Sequence, residues 1–340
     1  MSELPRVKNQ HYVPVAYLNN FCDKDGQLAV YEKKSGRTFS TTPKNVAAET
    51  GFYETTATRD PTVPENYQNL ERTLAYIEDL ATPIIKGLRT RLELAEPKRL
   101  RSSNPKLIYR REREILATYI GIQSCRTAQD RQTTLQFLET FGRLQANVLL
   151  YNSGMELRPE ELTVEISDEH VRVEHCRQTL QHGFMAGQIL QRFIWIFDVN
   201  TSPFDLVTSD VPVIRIGHVD SSPFPSDGFA SPGVEIDLPI SSRLVLRMFQ
   251  RRHWKALSPW DGKARAMPAN EIALLNCHQA LQSERFLFAR DNSWGWPDIV
   301  FQEFPDARVH GNRIEVSGPF LDGLYLTPQE KKEAKVIFRW

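Results

Sequence analysis

The feature that most constrains the fold is an apolar repeat of helical period between Glu65 and about Leu94. Apolar side chains recur there every three or four positions, at Leu70, Leu74, Ile77, Ala81 and Ile84 or Ile85. Pro83 lies inside this pattern and predicts a kink. Helical spacing resumes at Leu107 and continues to about residue 150. The sequence therefore predicts a helical region over residues 65–191, although residues 162–176 alternate like a strand or hairpin.

Short runs typical of strands dominate the remainder of the chain. Beyond residue 192 they alternate with loops rich in Pro, Gly and Ser, at 192–198, 204–208, 211–216, 234–238 and 243–248, with one helix predicted near 269–284. In residues 1–64, Leu28–Tyr31 and Arg37–Thr41 flank a Gly-containing turn and predict a small hairpin. A short helix is predicted after Pro43.

Helical signals early and strand signals late favour an α+β fold over a regular series of βαβ units. We expect a helix-rich N-terminal half packed on a strand-rich C-terminal half, with the small hairpin at the N-terminus. A chain of 340 residues can bury a substantial core. We therefore predict a single, closely packed domain over residues 1–340.

Charge and cysteine content limit the class of protein. The 42 basic and 42 acidic residues give no net charge, so contact with nucleic acid would depend on local patches. The four cysteines lie far apart without CxxC spacing, which argues against a zinc ribbon or a dense disulfide framework. The start "MSELPRVKNQ" lacks the apolar stretch expected of a signal peptide, and no run approaches the roughly 18 to 20 apolar residues that would span a bilayer. We expect a cytoplasmic protein without membrane contact.

Common catalytic motifs are absent: the sequence contains no P-loop, no GxGxxG after a strand, no HExxH and no GxSxG. Candidate sites must be sought in single polar residues. Thr208, Ser209 and Asp210 end an apolar strand, where a site can be held rigidly beside a cleft. The same letters also suit a turn, in which Ser209 and Asp210 bond nearby main-chain N–H groups.

Three pairs on predicted helices extend the set of candidates. Glu71 and Glu78 are seven residues apart and lie on nearly one helix face, where they suit a cation or acid and base roles, or simply a solvated surface. Gln123 and Arg126 lie one turn apart in an apolar helix, and a buried arginine needs an anionic partner, either a carboxylate or a bound phosphate. Asn276 and Gln279 lie one turn apart on the helix near 269–284.

Two basic stretches favour nucleic acid as a partner. Residues 98–114 are rich in Arg and Lys, and residues 247–255 place aromatic rings among the cations. This combination suits phosphate attraction and base stacking. A charged, solvated surface explains the same composition, and both interpretations remain open.

The segments "QHYVPVAYLNNF", "NVAAETGFYE", "LERTLAYIEDLATPII", "VTSDVPV", "LPIS" and "LN…A…RFLFA" occur in this order between residues 8 and 291. With them the chain resembles a bacterial family known as domain of unknown function 4238. Val211 and Ala128 depart from the family pattern, in which asparagine and proline are usual. The resemblance implies a set of marked positions: His11, Tyr12, Pro14, Asn45, Glu49, Glu78, Gln123, Arg126, Asp210 and Asn276.

The resemblance allows distant polar groups to be treated as one cluster, in which an imidazole oriented by a carboxylate would serve as a base or metal ligand. We expect a phosphodiester hydrolase, an RNA or DNA nuclease acting as a toxin or phage-defence effector, with Mg²⁺ or Mn²⁺ as a candidate cofactor. Its catalytic groups would be His11, Glu78 and Asp210. Its substrate-binding groups would be Tyr12, Gln123, Arg126, Ser209 and Asn276, with Arg126 as the phosphate clamp.

The alternative is a non-enzymatic sensor that binds a nucleotide, a nucleic acid or a partner protein. In that case the same polar cluster would be structural. The two hypotheses differ in whether the polar atoms of the cluster are free to meet a substrate.

Overall fold

The computed structural model describes residues 9–54, 70–92, 106–153, 165–219, 226–309, 315–317 and 337–339. The chain begins with strand β1 (Asn9–His11), helix α1 (Val15–Leu18), the strands β2 (Leu28–Glu32) and β3 (Thr38–Thr41), and β4 (Ala48–Thr50). Strands β2 and β3 form the predicted hairpin. The helix predicted after Pro43 is wrong, because only one 3-10 turn forms at Pro43–Asn45 and residues 48–50 extend to pair with β1.

Four long helices follow: α2 (Leu70–Leu92), α3 (Arg110–Gln123), α4 (Ala128–Ser153) and α5 (Asp168–Leu190). The apolar face predicted for α2 is buried, and Pro83 is accommodated inside the helix. The alternating pattern over residues 162–176 does not form a strand where the structure describes it. Ser167 instead caps α5, its Oγ accepting a hydrogen bond from the amide of His170.

Helices α3 and α5 pack closely because glycines face each other at their crossing. A Cβ placed on Gly121 would lie 2.2 Å from the carbonyl oxygen of Gly183 and 2.6 Å from the amide nitrogen of Gly187. Only glycine allows two helix backbones to approach so closely. The α3–α5 pair therefore forms a rigid support for the residues at the C-terminal end of α3.

The C-terminal part contains most of the strands. In chain order these are β5 (Ile194–Asn200), β6 (Thr208–Ser209), β7 (Ile214–Ile216), β8 (Glu235–Ser241), β9 (Leu244–Phe249), β10 (Lys263–Met267), β11 (Phe286–Ala289), β12 (Glu315–Ser317) and β13 (Ile337–Arg339). One sheet has the order β10-β5-β9-β8-β7, with β10 parallel to β5. A second sheet, β3-β2-β11-β6, joins the N-terminal hairpin to C-terminal strands.

Three helices accompany these strands: α6 (Ala269–Gln282), α7 (Pro297–Glu303) and α8 (Pro305–Val309). The predicted helix near 269–284 is confirmed, but the prediction of a single helix beyond residue 192 is wrong. Helices α7 and α8 are too short for an apolar repeat to develop, although each begins with a proline, which suits the first helical turn. Of the strand predicted at 204–208, only residue 208 is in β6.

The described structure is α+β, with a helical N-terminal half, a small hairpin and a strand-rich C-terminal part, as predicted. Tyr17 ties the two parts together, because its buried hydroxyl donates to the carbonyl of Pro239 at 2.6 Å and lies 2.8 Å from Oγ1 of Thr208. Among the helices in the described part of the chain, none combines the length and the apolar character needed to cross a bilayer.

Candidate functional site

Arg126 lies in the turn between α3 and α4 and is the centre of the predicted cluster. Its side chain is only 3% exposed. The guanidinium donates through Nη1 to Oε1 of Glu78 at 2.7 Å, through Nη2 to the carbonyl of His11 at 2.9 Å, and through Nε to the carbonyl of Tyr12 at 3.1 Å. Each of its three nitrogens therefore has a partner within the chain, as a buried cation requires.

The same arrangement fixes the segment that follows β1. Gln123 adds a second hydrogen bond to the carbonyl of Tyr12, at 3.0 Å. The imidazole of His11 is half-buried, and its Nε2 lies 3.2 Å from the carbonyl of Lys44, to which it donates as the Nε2–H tautomer. Burial lowers the pKa of His11 and favours the neutral ring. We call His11, Tyr12, Glu78, Gln123 and Arg126 the Arg126 cluster.

Asp210 belongs to a different hydrogen-bond network. It is 1% exposed, and its carboxylate accepts from the main-chain N–H groups of Glu284 (3.0 Å), Arg285 (2.7 Å) and Phe286 (3.0 Å). Burial raises the pKa of Asp210, the three hydrogen bonds oppose this rise, and the resulting pKa is about 6. Asp210 thereby holds the start of β11 beside β6.

Ser209 and Asn276 likewise bond to their own chain. Oγ of Ser209 receives a hydrogen bond from Gln279 on α6 and donates to the carbonyl of Val211 at 2.9 Å. The amide of Asn276 accepts from the N–H of Val207 at 3.0 Å and donates to the carbonyl of Asp205 at 2.9 Å. These residues fasten the strand end at 207–211 to α6.

The eight predicted site residues thus fall into two groups, the Arg126 cluster and the group of Ser209, Asp210 and Asn276. Within the described residues, neither a hydrogen bond nor an ion pair joins His11 to Asp210. Tyr12 connects the groups electrostatically: burial raises the pKa of its phenol, and the charge of Asp210 raises it further. Among the described residues the two groups have different partners: the His11 ring bonds to the carbonyl of Lys44, and the Asp210 carboxylate to the main chain of residues 284–286.

A pocket of about 340 Å³ opens beside the Arg126 cluster, between the segment 14–20 and one face of α2. Glu78 stands at one end of this face, while Lys86 and Arg89 follow eight and eleven residues later, roughly 12 and 16 Å along the helix axis. We call this cavity the α1–α2 pocket. It is lined by Pro14, Ala16, Tyr17, Asn19, Asn20, Glu78, Thr82, Ile85, Lys86, Arg89 and Tyr119.

Tyr119 gives this pocket a hydrogen-bonding group that sequence reasoning missed. Its side chain on α3 is 3% exposed and lines the pocket, and its hydroxyl has no hydrogen-bond partner among the described residues. Burial raises the pKa of the phenol, and the nearby carboxylate of Glu78 raises it further, so the hydroxyl keeps its proton. Its helical position resembles that of any core tyrosine, so the sequence carried no signal for it.

A second charged cluster, also missed, lies on the larger sheet. Arg247 on β9 donates to Glu235 (Nε to Oε1, 2.9 Å), lies near Asp198 (3.3 Å) and Asp237 (3.7 Å), and pairs with Glu271. Burial raises the pKa of Asp237, and the neighbouring charge of Glu235 raises it further. The signal was present in the sequence, since the strand-like runs "FDVN" and "VEIDLPIS" place acids where apolar residues are expected.

Several cations of the two basic stretches pair with acidic side chains where the structure describes them. Arg113 and Arg251 both pair with Asp261, and Arg110 pairs with Glu114. Residues 98–105 of the first stretch lie outside the described residues. Over the described ranges, no group of three His, Cys, Asp or Glu side chains is arranged to hold a metal ion.

Comparison with known proteins gives one match. The sequence model of a family described as "Protein of unknown function (DUF4238)" matches residues 9–293. Neither a curated protein nor a solved structure matches the chain significantly. The match includes the Arg126 cluster, the Asp210 group and the α1–α2 pocket.

Proposed function

Since the chain belongs to this family of proteins of unknown function, we propose for it a role that its geometry supports: a sensor that binds a phosphorylated small molecule of nucleotide size in the α1–α2 pocket, without hydrolysing it. The Arg126 cluster would hold the walls of that pocket. The observation that carries the proposal is Tyr119, which is only 3% exposed, lines the pocket and has no hydrogen-bond partner for its hydroxyl among the described residues.

The charges around the pocket indicate the class of ligand. Lys86 is exposed and forms no ion pair within the described part of the chain, so it is available for a phosphate. Glu78 uses Oε1 for Arg126, which leaves Oε2 to accept from a ligand hydroxyl or amine. A volume of about 340 Å³ lies at the small end of the usual range for ligand sites.

The phosphodiesterase hypothesis has less support. All three guanidinium nitrogens of Arg126, which would be the phosphate clamp, already donate to Glu78 and to two main-chain carbonyls. Both carboxylate oxygens of Asp210 accept hydrogen bonds from main-chain amides. A toxin or phage-defence role therefore stays a prediction. We also propose a cytoplasmic location, which the four cysteines support because none of them forms a disulfide.

Binding is tested by calorimetric titration of the four ribonucleoside monophosphates against the wild-type protein, Lys86→Gln and Tyr119→Phe. We expect at least one nucleotide to bind the wild type, and both variants to bind it about tenfold more weakly, because each loses one ligand hydrogen bond or charge contact. Lys24→Gln, an exposed lysine away from the pocket, is the matched control and should bind like the wild type.

Absence of binding by the wild type, or equal affinity of all four proteins, would contradict the proposal. Labelled RNA and DNA are incubated in parallel with Mg²⁺ or Mn²⁺. If the wild type cleaves RNA or DNA and Glu78→Gln does not, the result would refute the sensor proposal and support the hydrolase hypothesis.

A further inference from the structure

A second cavity, of about 480 Å³, lies between α6, α7 and the segments on either side of them. Its lining is almost entirely apolar or aromatic. We call it the α6–α7 cavity. It is lined by Pro203, Phe204, Asp205, Val207, Ala269, Ile272, Ala273, Asn276, Cys277, Ala289, Asp291, Ser293, Trp294, Trp296, Ile299 and Val300. Concave sites of this size and composition bury most of the surface of a drug-sized molecule.

The polar groups in the lining do not offer a net charge to a ligand. Asp205 pairs with Arg243 (3.2 Å) and Arg290 (2.8 Å), so two cations surround this carboxylate. Oδ1 of Asp291 accepts from the amide of Ser293 at 3.1 Å and adds one more negative charge. Two arginines thus balance two aspartates, and a charged ligand would lose its hydration without compensation.

The lining also contains a buried donor that makes no hydrogen bond within the described chain, the indole N–H of Trp294. Trp294 is 8% exposed, and its buried indole N–H has no acceptor among the described residues. An unsatisfied buried donor costs on the order of 1–3 kcal/mol. A ligand with a carbonyl or ether oxygen beside this indole would remove that cost by drawing the N–H toward the cavity through a rotation of the Trp294 side chain.

We propose that the α6–α7 cavity is a binding site for a neutral, apolar small molecule that carries one hydrogen-bond acceptor. This site goes beyond the nucleotide sensor, because it shares no lining residue with the α1–α2 pocket. Apolar burial would supply the affinity, and the indole of Trp294 would select for the acceptor.

The probe is Nile red, a neutral dye with a carbonyl group whose fluorescence rises and shifts to the blue in apolar surroundings. We expect saturable binding to the wild-type protein. Ala273→Trp should abolish it by filling the cavity from α6. Leu274→Trp is the matched control: Leu274 is the next residue on the same helix and equally exposed, but it does not line the cavity, so dye binding should be unchanged.

The acceptor is tested with Trp294→Phe, which keeps an aromatic ring but removes the N–H together with the five-membered part of the indole. This variant should bind Nile red up to about tenfold more weakly than the wild type, which corresponds to the loss of one hydrogen bond. Pyrene is a hydrocarbon without an acceptor, so the variant should bind it with the affinity of the wild type. Melting temperatures of the three variants check that each is folded. Failure of the wild type to bind Nile red, equal binding by Ala273→Trp and Leu274→Trp, or an equal loss of both dyes in Trp294→Phe would overturn the proposal.

Discussion

Buried Arg126 and partly exposed Glu78 form an ion pair of 2.7 Å between residues that are 48 positions apart in the sequence. The pair joins the turn after α3 to the middle of α2. Because the same guanidinium also holds the carbonyls of His11 and Tyr12, it fixes the N-terminal segment against both helices. The wall of the α1–α2 pocket therefore depends on a single cation.

Replacing Arg126 by Gln should destabilise the protein by about 3–5 kcal/mol, because it removes a buried cation from its ion pair and leaves Glu78 and the carbonyl of His11 without their donor. Urea unfolding measures the change. Arg110→Gln is the control: Arg110 is almost fully exposed and pairs only with Glu114 one turn away, so the loss should stay below about 0.5 kcal/mol. Similar losses in both variants would contradict the structural role of Arg126.

Gly121→Ala should strongly destabilise the α3–α5 pair. The added Cβ would meet main-chain atoms of Gly183 and Gly187 at 2.2 and 2.6 Å, so the helices must separate. We expect a loss above about 3 kcal/mol. Gly87→Ala on α2 is the matched control, since its nearest neighbour is the end of the Arg91 side chain at 3.9 Å. That variant should gain about 0.5–1 kcal/mol from helix propensity, and thermal unfolding distinguishes the two outcomes.

The buried carboxyl of Asp210 predicts a pH dependence of stability. Its pKa is raised to about 6 by burial, so the folded protein holds this proton more tightly than the unfolded chain, whose pKa lies near 3.8. The stabilisation is complete below about pH 4 and is lost as the pH rises to about 6. The free energy of unfolding of the wild type, relative to Asp210→Asn, should therefore fall by about 2 kcal/mol between pH 4 and pH 6. If the difference in unfolding free energy between the wild type and Asp210→Asn did not change with pH, the raised pKa of Asp210 would be refuted.

His175 predicts a pH dependence of the opposite sign. Burial first, and then the charge of Arg131, lower its pKa from 6.5 to about 3, so the folded protein keeps the ring neutral beside Phe52 and Tyr53. The stabilisation is complete above pH 6.5 and is lost as the pH falls toward 3. Between pH 6.5 and 5, the wild type should lose about 2 kcal/mol more than His175→Phe. Chemical denaturation at both pH values measures the difference, and parallel losses would count against a neutral, buried His175.

Local patterns predicted much of the secondary structure correctly. The apolar repeat at Leu70, Leu74 and Ile77 gave the helix Leu70–Leu92, and the turn after Glu32 gave the β2–β3 hairpin. Patterns failed where pairing with distant residues decided the outcome. Residues 48–50 are extended because β1 pairs with them, and residues 286–289 are a strand because β2 and β6 lie on either side.

The sequence by itself determined the α+β class, the long helices and the set of unusual polar residues, because periodicity and residue type act over a few neighbouring positions. Only the tertiary structure decided how those polar residues are used. Asp210 looks like a free carboxylate in "TSDVP", but main-chain amides 74 to 76 positions later bind it. Tyr119 looks like a core residue, yet it lines a pocket. Buried polar groups must find hydrogen-bond partners, and long-range folding alone determines which groups meet.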